Sequence, residues 1–289
     1  MAKGISIHIG LNSVDVNHYG EIPSLDTCEQ DAKDMHKIAV DSGYNSSTIL
    51  LTSGATREAV KSAIIMASNE LKSGDMLFLT YSGHGGVVYD TNSDELDGVD
   101  ETWCLYDGQL LDDELRELWS YFNEGVHILV VSDSCHSGTV TKAPLNSEQS
   151  KLFKQKLLPP NIAKNVYIKN KDFYDELESS TQIVDDSQIK ATVKLFAACQ
   201  DPQVSYTLTF ATNSIFTEKI KEVWDEGRFD GNYKDFFEKV KERVVALDFL
   251  PSKQTPNYMT IGVEDPYFDE QKPFVVVEKE EYCEYYCEY

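Results

Sequence analysis

Two short segments carry the side chains best suited to covalent chemistry. One is Tyr81-Ser82-Gly83-His84-Gly85-Gly86, the other Asp133-Ser134-Cys135-His136-Ser137-Gly138. A cysteine thiolate is a strong nucleophile and an imidazole titrates near neutral pH. Cys135 and His84 could therefore work as a thiol and its general base. Glycines around His84 would let a substrate backbone come close. A free cysteine by itself is more often a buried small hydrophobe; the histidine loop is what sets Cys135 apart. His136 reads as an orienting or structural residue, and His8, His18, His36 and His127 are given no chemical role.

Each segment follows a short apolar run, residues 76–81 (MLFLTY) and 128–131 (ILVV). Such runs, bounded by small polar residues, read as strands buried on both faces. The reactive groups then sit just past the carboxyl ends of strands, where open α/β sheets collect ligands. Further strands are expected at residues 5–11, 48–51, 193–198 and 258–263. Helices are expected at 24–43 (closed by Gly43), 56–71 (capped by Thr56), 112–122, 213–224 and 233–247. This alternation predicts an α/β fold with a mostly parallel central β-sheet flanked by helices on both faces. Residues 1–142 would hold the histidine and cysteine loops, and 191–263 would complete the same domain. Between them, 143–190 carries many lysines, a Pro159-Pro160 pair and no clean apolar period, so it reads as a linker or insertion. Residues 264–289 form an acidic, tyrosine-rich tail.

The 289-residue chain is long enough for one large α/β domain. A formal net charge of −23 argues against nucleic-acid or anionic-membrane partners, which need basic patches, and suits cationic ones. No stretch approaches the roughly 20 apolar residues of a membrane span. The amino-terminal MAKGISIHIG has no leader-like apolar core. Six scattered cysteines lack the density of a disulfide framework, so a reduced, cytoplasmic setting is expected. Cys283 and Cys287 have too few companions for a zinc site.

The ordered succession Cys28-x-x-Asp31, Ser82-Gly83-His84-Gly85, Asp94-Glu95-x-Asp97-Gly98-x-Asp100-Glu101, Asp112-Asp113-Glu114-Leu115, Asp133-Ser134-Cys135-His136-Ser137-Gly138 and Ala198-Cys199-Gln200-Asp201 resembles the metacaspases and their bacterial relatives. These are caspase-fold cysteine peptidases, and the resemblance runs over roughly residues 5–263. It implies a His84/Cys135 dyad that hydrolyses peptide bonds, with the backbone N–H groups of Gly85 and Cys135 holding the oxyanion. It also implies an acidic pocket for the residue before the cut, formed by Cys28, Asp31, Ser82 and Asp133. Two carboxylates there would admit Arg or Lys and repel aspartate. The partners are then protein or peptide substrates with a basic residue before the scissile bond.

In such enzymes, cleavage after the cysteine loop matures the protein. Lys151, Lys154, Lys156, Lys164, Lys169 and Lys171 are the candidate positions here, with an ordinary surface insertion as the alternative. The hydrolysis requires no cofactor. The resemblance implies calcium carboxylates at Asp100, Asp112 and Asp113, but Lys142 stands where an acid is expected, and its ammonium opposes a dication. Asp90-x-Asn92-x-Asp94 with Glu101 mimics a calcium loop, yet Glu95 occupies the position that needs glycine. Two alternatives stay open: a catalytically silent interaction scaffold, and a caspase-fold peptidase of different specificity.

Overall fold

Strands rich in Val, Ile, Leu and Phe that are covered on both faces need helices on both sides, and the computed structural model has that arrangement. It describes residues 2–89, 99–135 and 145–277. In chain order the elements begin with β1 (Gly4–Gly10), α1 (Val16–Tyr19), α2 (Cys28–Asp41), β2 (Ser46–Leu51), α3 (Arg57–Glu70) and β3 (Met76–Ser82). Next come β4 (Gly85–Tyr89), β5 (Val99–Leu105), β6 (Gly108–Leu111), α4 (Asp112–Ser120) and β7 (His127–Asp133). Then follow α5 (Gln149–Leu152), β8 (Phe153–Gln155), α6 (Pro160–Lys169), α7 (Lys171–Ser180), β9 (Thr192–Ala197) and β10 (Tyr206–Leu208). The last are α8 (Ile215–Trp224), α9 (Tyr233–Val245), β11 (Asn257–Gly262) and α10 (Pro266–Glu270).

The main sheet runs β11-β9-β7-β3-β1-β2, parallel except for β11. This is the expected caspase-like α/β fold. Period-two alternation divides each central strand between two cores. Met76 and Phe78 of β3, with Leu129 and Val131 of β7, join α2, α8 and α9 on one face. Leu77 and Leu79, with Ile128 and Val130, join α3 and α4 on the other. Ser82 is level with Asp133 in the β3–β7 pairing, and Gly10 with Ser82 in β1–β3, so three strands end at one place. A side chain at residue 10 would put its Cβ 2.3 Å from the Cys28 carbonyl oxygen. Glycine there lets the start of α2 lie against that strand end.

The departures from the sequence reading are local. The antiparallel sheet β4-β5-β6 was not expected. It packs against α6 and α7 through Val88, Cys104, Leu158, Val166 and Tyr174. The expected linker at 143–190 therefore holds β8, α6 and α7 and supplies a third buried cluster. Its apolar period was hard to read because each helix is short and buries only a few side chains. The expected tail is also part of the fold as far as residue 277, with Phe268 and Phe274 fully buried in the main core. The rest of it, including Cys283 and Cys287, lies outside the described residues.

Candidate active site

The histidine loop is fixed by its backbone. The Tyr81 hydroxyl donates to the His84 carbonyl at 2.7 Å and the Cys104 N–H donates to it at 2.9 Å. That leaves the ring to be positioned by Pro23, whose carbonyl lies 2.8 Å from Nε2. A carbonyl can only accept, so Nε2 carries the proton and Nδ1 keeps its lone pair. Nδ1 is buried without a hydrogen-bond partner among the described residues. Burial pushes the pKa of His84 down to about 4; the Pro23 carbonyl opposes this and the Lys156 charge adds to it. The imidazole is thus neutral at physiological pH and holds an unused acceptor.

Cys135 lies two residues past the end of β7 and is fully buried. Its Sγ accepts the Ser205 N–H at 3.0 Å. Its own backbone is close to Gly85: a Cβ at residue 85 would fall 1.6 Å from the Cys135 carbonyl oxygen. Only glycine permits this approach. The result is a pair of N–H groups, from Gly85 and Cys135, that converge on one acceptor. That acceptor is the carbonyl of Lys156, at 3.0 and 3.2 Å. Among the described residues no hydrogen bond joins the Cys135 thiol to the His84 ring.

Lys156 is held on both sides along its backbone. Ahead of it, β8 pairs antiparallel with β10, and the Lys156 N–H donates to Ser205 O at 3.0 Å. Beyond it, the Leu158 N–H donates to Gly85 O at 2.7 Å. Its side chain is fully buried, with Nζ donating to Ser82 Oγ (2.7 Å), Ser214 Oγ (2.9 Å) and Asp133 Oδ1 (3.0 Å); Asp31 Oδ2 is 3.7 Å away. Burial works against its charge, but the Asp133 carboxylate, then Cys28 and Asp31, outweigh this and hold its pKa above the ordinary lysine value. Burial raises Asp31, with Lys156 the main opposing influence, and pushes the Cys28 thiol up to about 11.

The pocket around this ammonium contains the four residues expected from the sequence, Cys28, Asp31, Ser82 and Asp133. It also contains groups the sequence gave no reason to select. Ser214, the N-cap of α8, donates its hydroxyl and its N–H to Asp31 at 2.6 and 2.9 Å. Asn213 donates to Asp31 at 3.0 Å, and Thr217 donates to Asp133 from both N–H (3.1 Å) and hydroxyl (2.8 Å). The first turn of α8 thus spends its free N–H donors, and the positive end of its dipole, on two buried carboxylates. Pro23, Ser205 and Ser214 fall outside the motifs and resemble ordinary loop and cap residues.

Among the six lysines considered as cut sites, Lys156 alone is buried. Lys151, Lys154, Lys169 and Lys171 are engaged at the surface with Glu148, Asp26, the Asn17 carbonyl and Asp175, and Lys164 is exposed on α6. Asp100 lies in β5, and Asp112 and Asp113 open α4, at one end of the small sheet. Among the described residues no group of three or more His, Cys, Asp or Glu side chains is arranged to hold a metal ion. His136, Lys142, Asp90, Asn92, Asp94 and Glu95 lie outside the described residues.

A buried thiol, an imidazole with a free lone pair, and two N–H donors on a peptide carbonyl are the parts needed for acyl transfer. A family model of the caspase domain matches residues 14–267. The chain belongs to the caspase-domain family. Within it the chain is metacaspase-like. It is similar to Metacaspase-1A of Neurospora crassa, 33% identical over 165 residues, or 52% of this chain and 36% of that protein. Metacaspase-1 of Saccharomyces cerevisiae is 30% identical over 167 residues, 53% of this chain and 38% of that protein. The chain thus spans little more than a third of these curated relatives. The crystal structure of a Geobacter sulfurreducens protein is similar over 96% of this chain and all of that one, with 44% identity and a TM-score of 0.84. No helix among the described residues of the caspase domain is long and apolar enough to cross a membrane.

Proposed function

We propose that this chain is a cysteine endopeptidase that cuts after basic residues, and that its first substrate is its own Lys156–Leu157 bond. The observation that carries the reading is the double seating of Lys156. Its carbonyl receives the N–H groups of Gly85 and Cys135 while its ammonium fills a pocket with two carboxylates. An aspartate in that pocket would face like charges out of reach of water, which disfavours cutting after Asp.

In the proposed reaction the Cys135 sulfur attacks the carbonyl carbon of Lys156 as Nδ1 of His84 takes the thiol proton. The oxygen becomes negative between two donors that already point at it. Collapse breaks the Lys156–Leu157 bond; the imidazolium gives its proton to the Leu157 nitrogen, and the Lys156 acyl group stays on sulfur as a thioester. Water, relieved of a proton by the same imidazole, then displaces the sulfur and leaves Lys156 with a free carboxylate. All these groups belong to the chain itself. Once the 153–156 segment leaves, the same pocket can accept a basic side chain from another protein.

The test is to incubate the wild type and Cys135→Ala side by side and read masses. The expected result is one wild-type cut, giving a fragment that ends at Lys156 and one that starts at Leu157, with Cys135→Ala intact. An intact wild type, or cutting only at another lysine, would overturn the assignment.

A further inference from the structure

We infer that this pocket selects lysine over arginine before the cut, and that Ser214 is one of the residues that set the preference. The inference rests on the reading of Lys156 as the residue before the scissile bond.

In a closed space, donors and acceptors must match. The lining is almost fully buried: Ser82 is 3% exposed, Asp31 and Asp133 1%, and Ser214 and Lys156 0%. An ammonium has three N–H donors, and Lys156 meets three oxygens at hydrogen-bond distance, on Ser82, Ser214 and Asp133. Both hydroxyls face it with lone pairs, because each gives its own proton to Asp31 Oδ2, at 2.7 and 2.6 Å. Donors and acceptors match one to one.

A guanidinium has five donors in a flat fork and is at its best against both oxygens of one carboxylate. Neither carboxylate offers that edge. Asp31 Oδ1 accepts from the Ser214 N–H and the Asn213 amide, and Asp31 Oδ2 from the two serine hydroxyls. Asp133 Oδ2 takes both groups of Thr217, and Asp133 Oδ1, already accepting from Ser205 Oγ at 3.0 Å, is the single carboxylate oxygen that hydrogen-bonds the ammonium. An arginine would bring two donors too many and one more heavy atom of length to a floor braced by the first turn of α8. Unmatched buried donors are costly, and two of them correspond to a discrimination of about tenfold or more in favour of lysine.

The experiment has two arms. In the first, Lys156→Arg in the full chain is compared with wild type for the rate of self-cleavage. In the second, the self-cleaved enzyme is given two fluorogenic peptides, Phe-Lys-Gln-Lys and Phe-Lys-Gln-Arg, with the same amide reporter. The expected result is at least about tenfold slower self-cleavage for Lys156→Arg, and a kcat/KM ratio of about ten or more for the lysine peptide. A smaller ratio in both arms, or a reversed one, would overturn the inference and leave the peptidase reading intact. Cleavage of neither peptide and of neither chain would instead overturn the peptidase reading, and the inference with it. Ser214→Ala, verified as folded by its thermal melt, is expected to bring the peptide ratio toward one. An unchanged ratio would remove Ser214 from the selection.

Discussion

The seating of Lys156 can be tested without any catalysis, through stability. In a Cys135→Ala background, which keeps the chain uncut, Lys156→Met and Asp133→Asn are made singly and together. The Nζ to Oδ1 separation is 3.0 Å with both groups at most 1% exposed. At an effective dielectric of about 20, a charge pair at that distance is worth roughly 5 kcal/mol before desolvation is counted. Removing one partner of a buried pair costs about 3–5 kcal/mol, because the other charge is left without compensation. Asp133→Asn has a further cost of its own: with its one oxygen turned to the Thr217 donors, its N–H2 faces the Ser205 hydroxyl, which must reverse from donor to acceptor. That part does not involve Lys156 and cancels in a double-mutant cycle. The double variant is therefore expected to be more stable than the sum of the singles by about 2–4 kcal/mol. Urea unfolding of the four proteins at neutral pH, followed by circular dichroism, measures it. A coupling below about 0.5 kcal/mol, with every variant folded, would mean that Lys156 does not occupy this pocket in solution.

Two further outcomes follow from the same geometry. Gly85→Ala drives a Cβ to 1.6 Å from the Cys135 carbonyl, so one oxyanion donor must move; self-cleavage should fall about 10²–10³-fold with little change in the ammonium pocket. Fragment appearance over time measures it, and a rate near wild type would discount the two-donor site. The second concerns pH. His84 acts as a base only when neutral, and with its pKa lowered to about 4 in the uncut chain, the self-cleavage rate should show no drop attributable to this histidine until pH falls toward 4. A pH–rate profile whose acid limb is centred near the ordinary histidine value of about 6.5 would contradict this burial-driven shift.

Legibility differed between strands and loops. The runs at 76–81 and 128–131 were readable as doubly covered strands because every residue in them is apolar or small, and the structure buries all of β3 and β7. Adjacent strand ends then follow from parallel pairing, so the sequence pattern itself implies that the His84 and Cys135 loops are close. The segment 143–190 misled because its informative residue is a lysine. A buried charge has no signature in hydropathy; it becomes tolerable only through partners brought from α2, β3, β7 and α8, as many as 183 residues apart in the chain. The β4-β5-β6 sheet was missed because β4 and β6 are short and its strands carry threonine, glutamate and glycine instead of an apolar run.

Taken alone, the sequence determined the residue types for a thiol–imidazole reaction, the α/β alternation that sets them at strand ends, and an acidic character suited to cationic partners. These are local properties: period, composition and spacing. Only the tertiary structure decided which of six lysines meets the carboxylates, which histidine nitrogen holds the proton, and that the start of α8 completes the pocket. Each of those depends on distances between groups remote in sequence, where an ångström or two separates a satisfied buried charge from an impossible one.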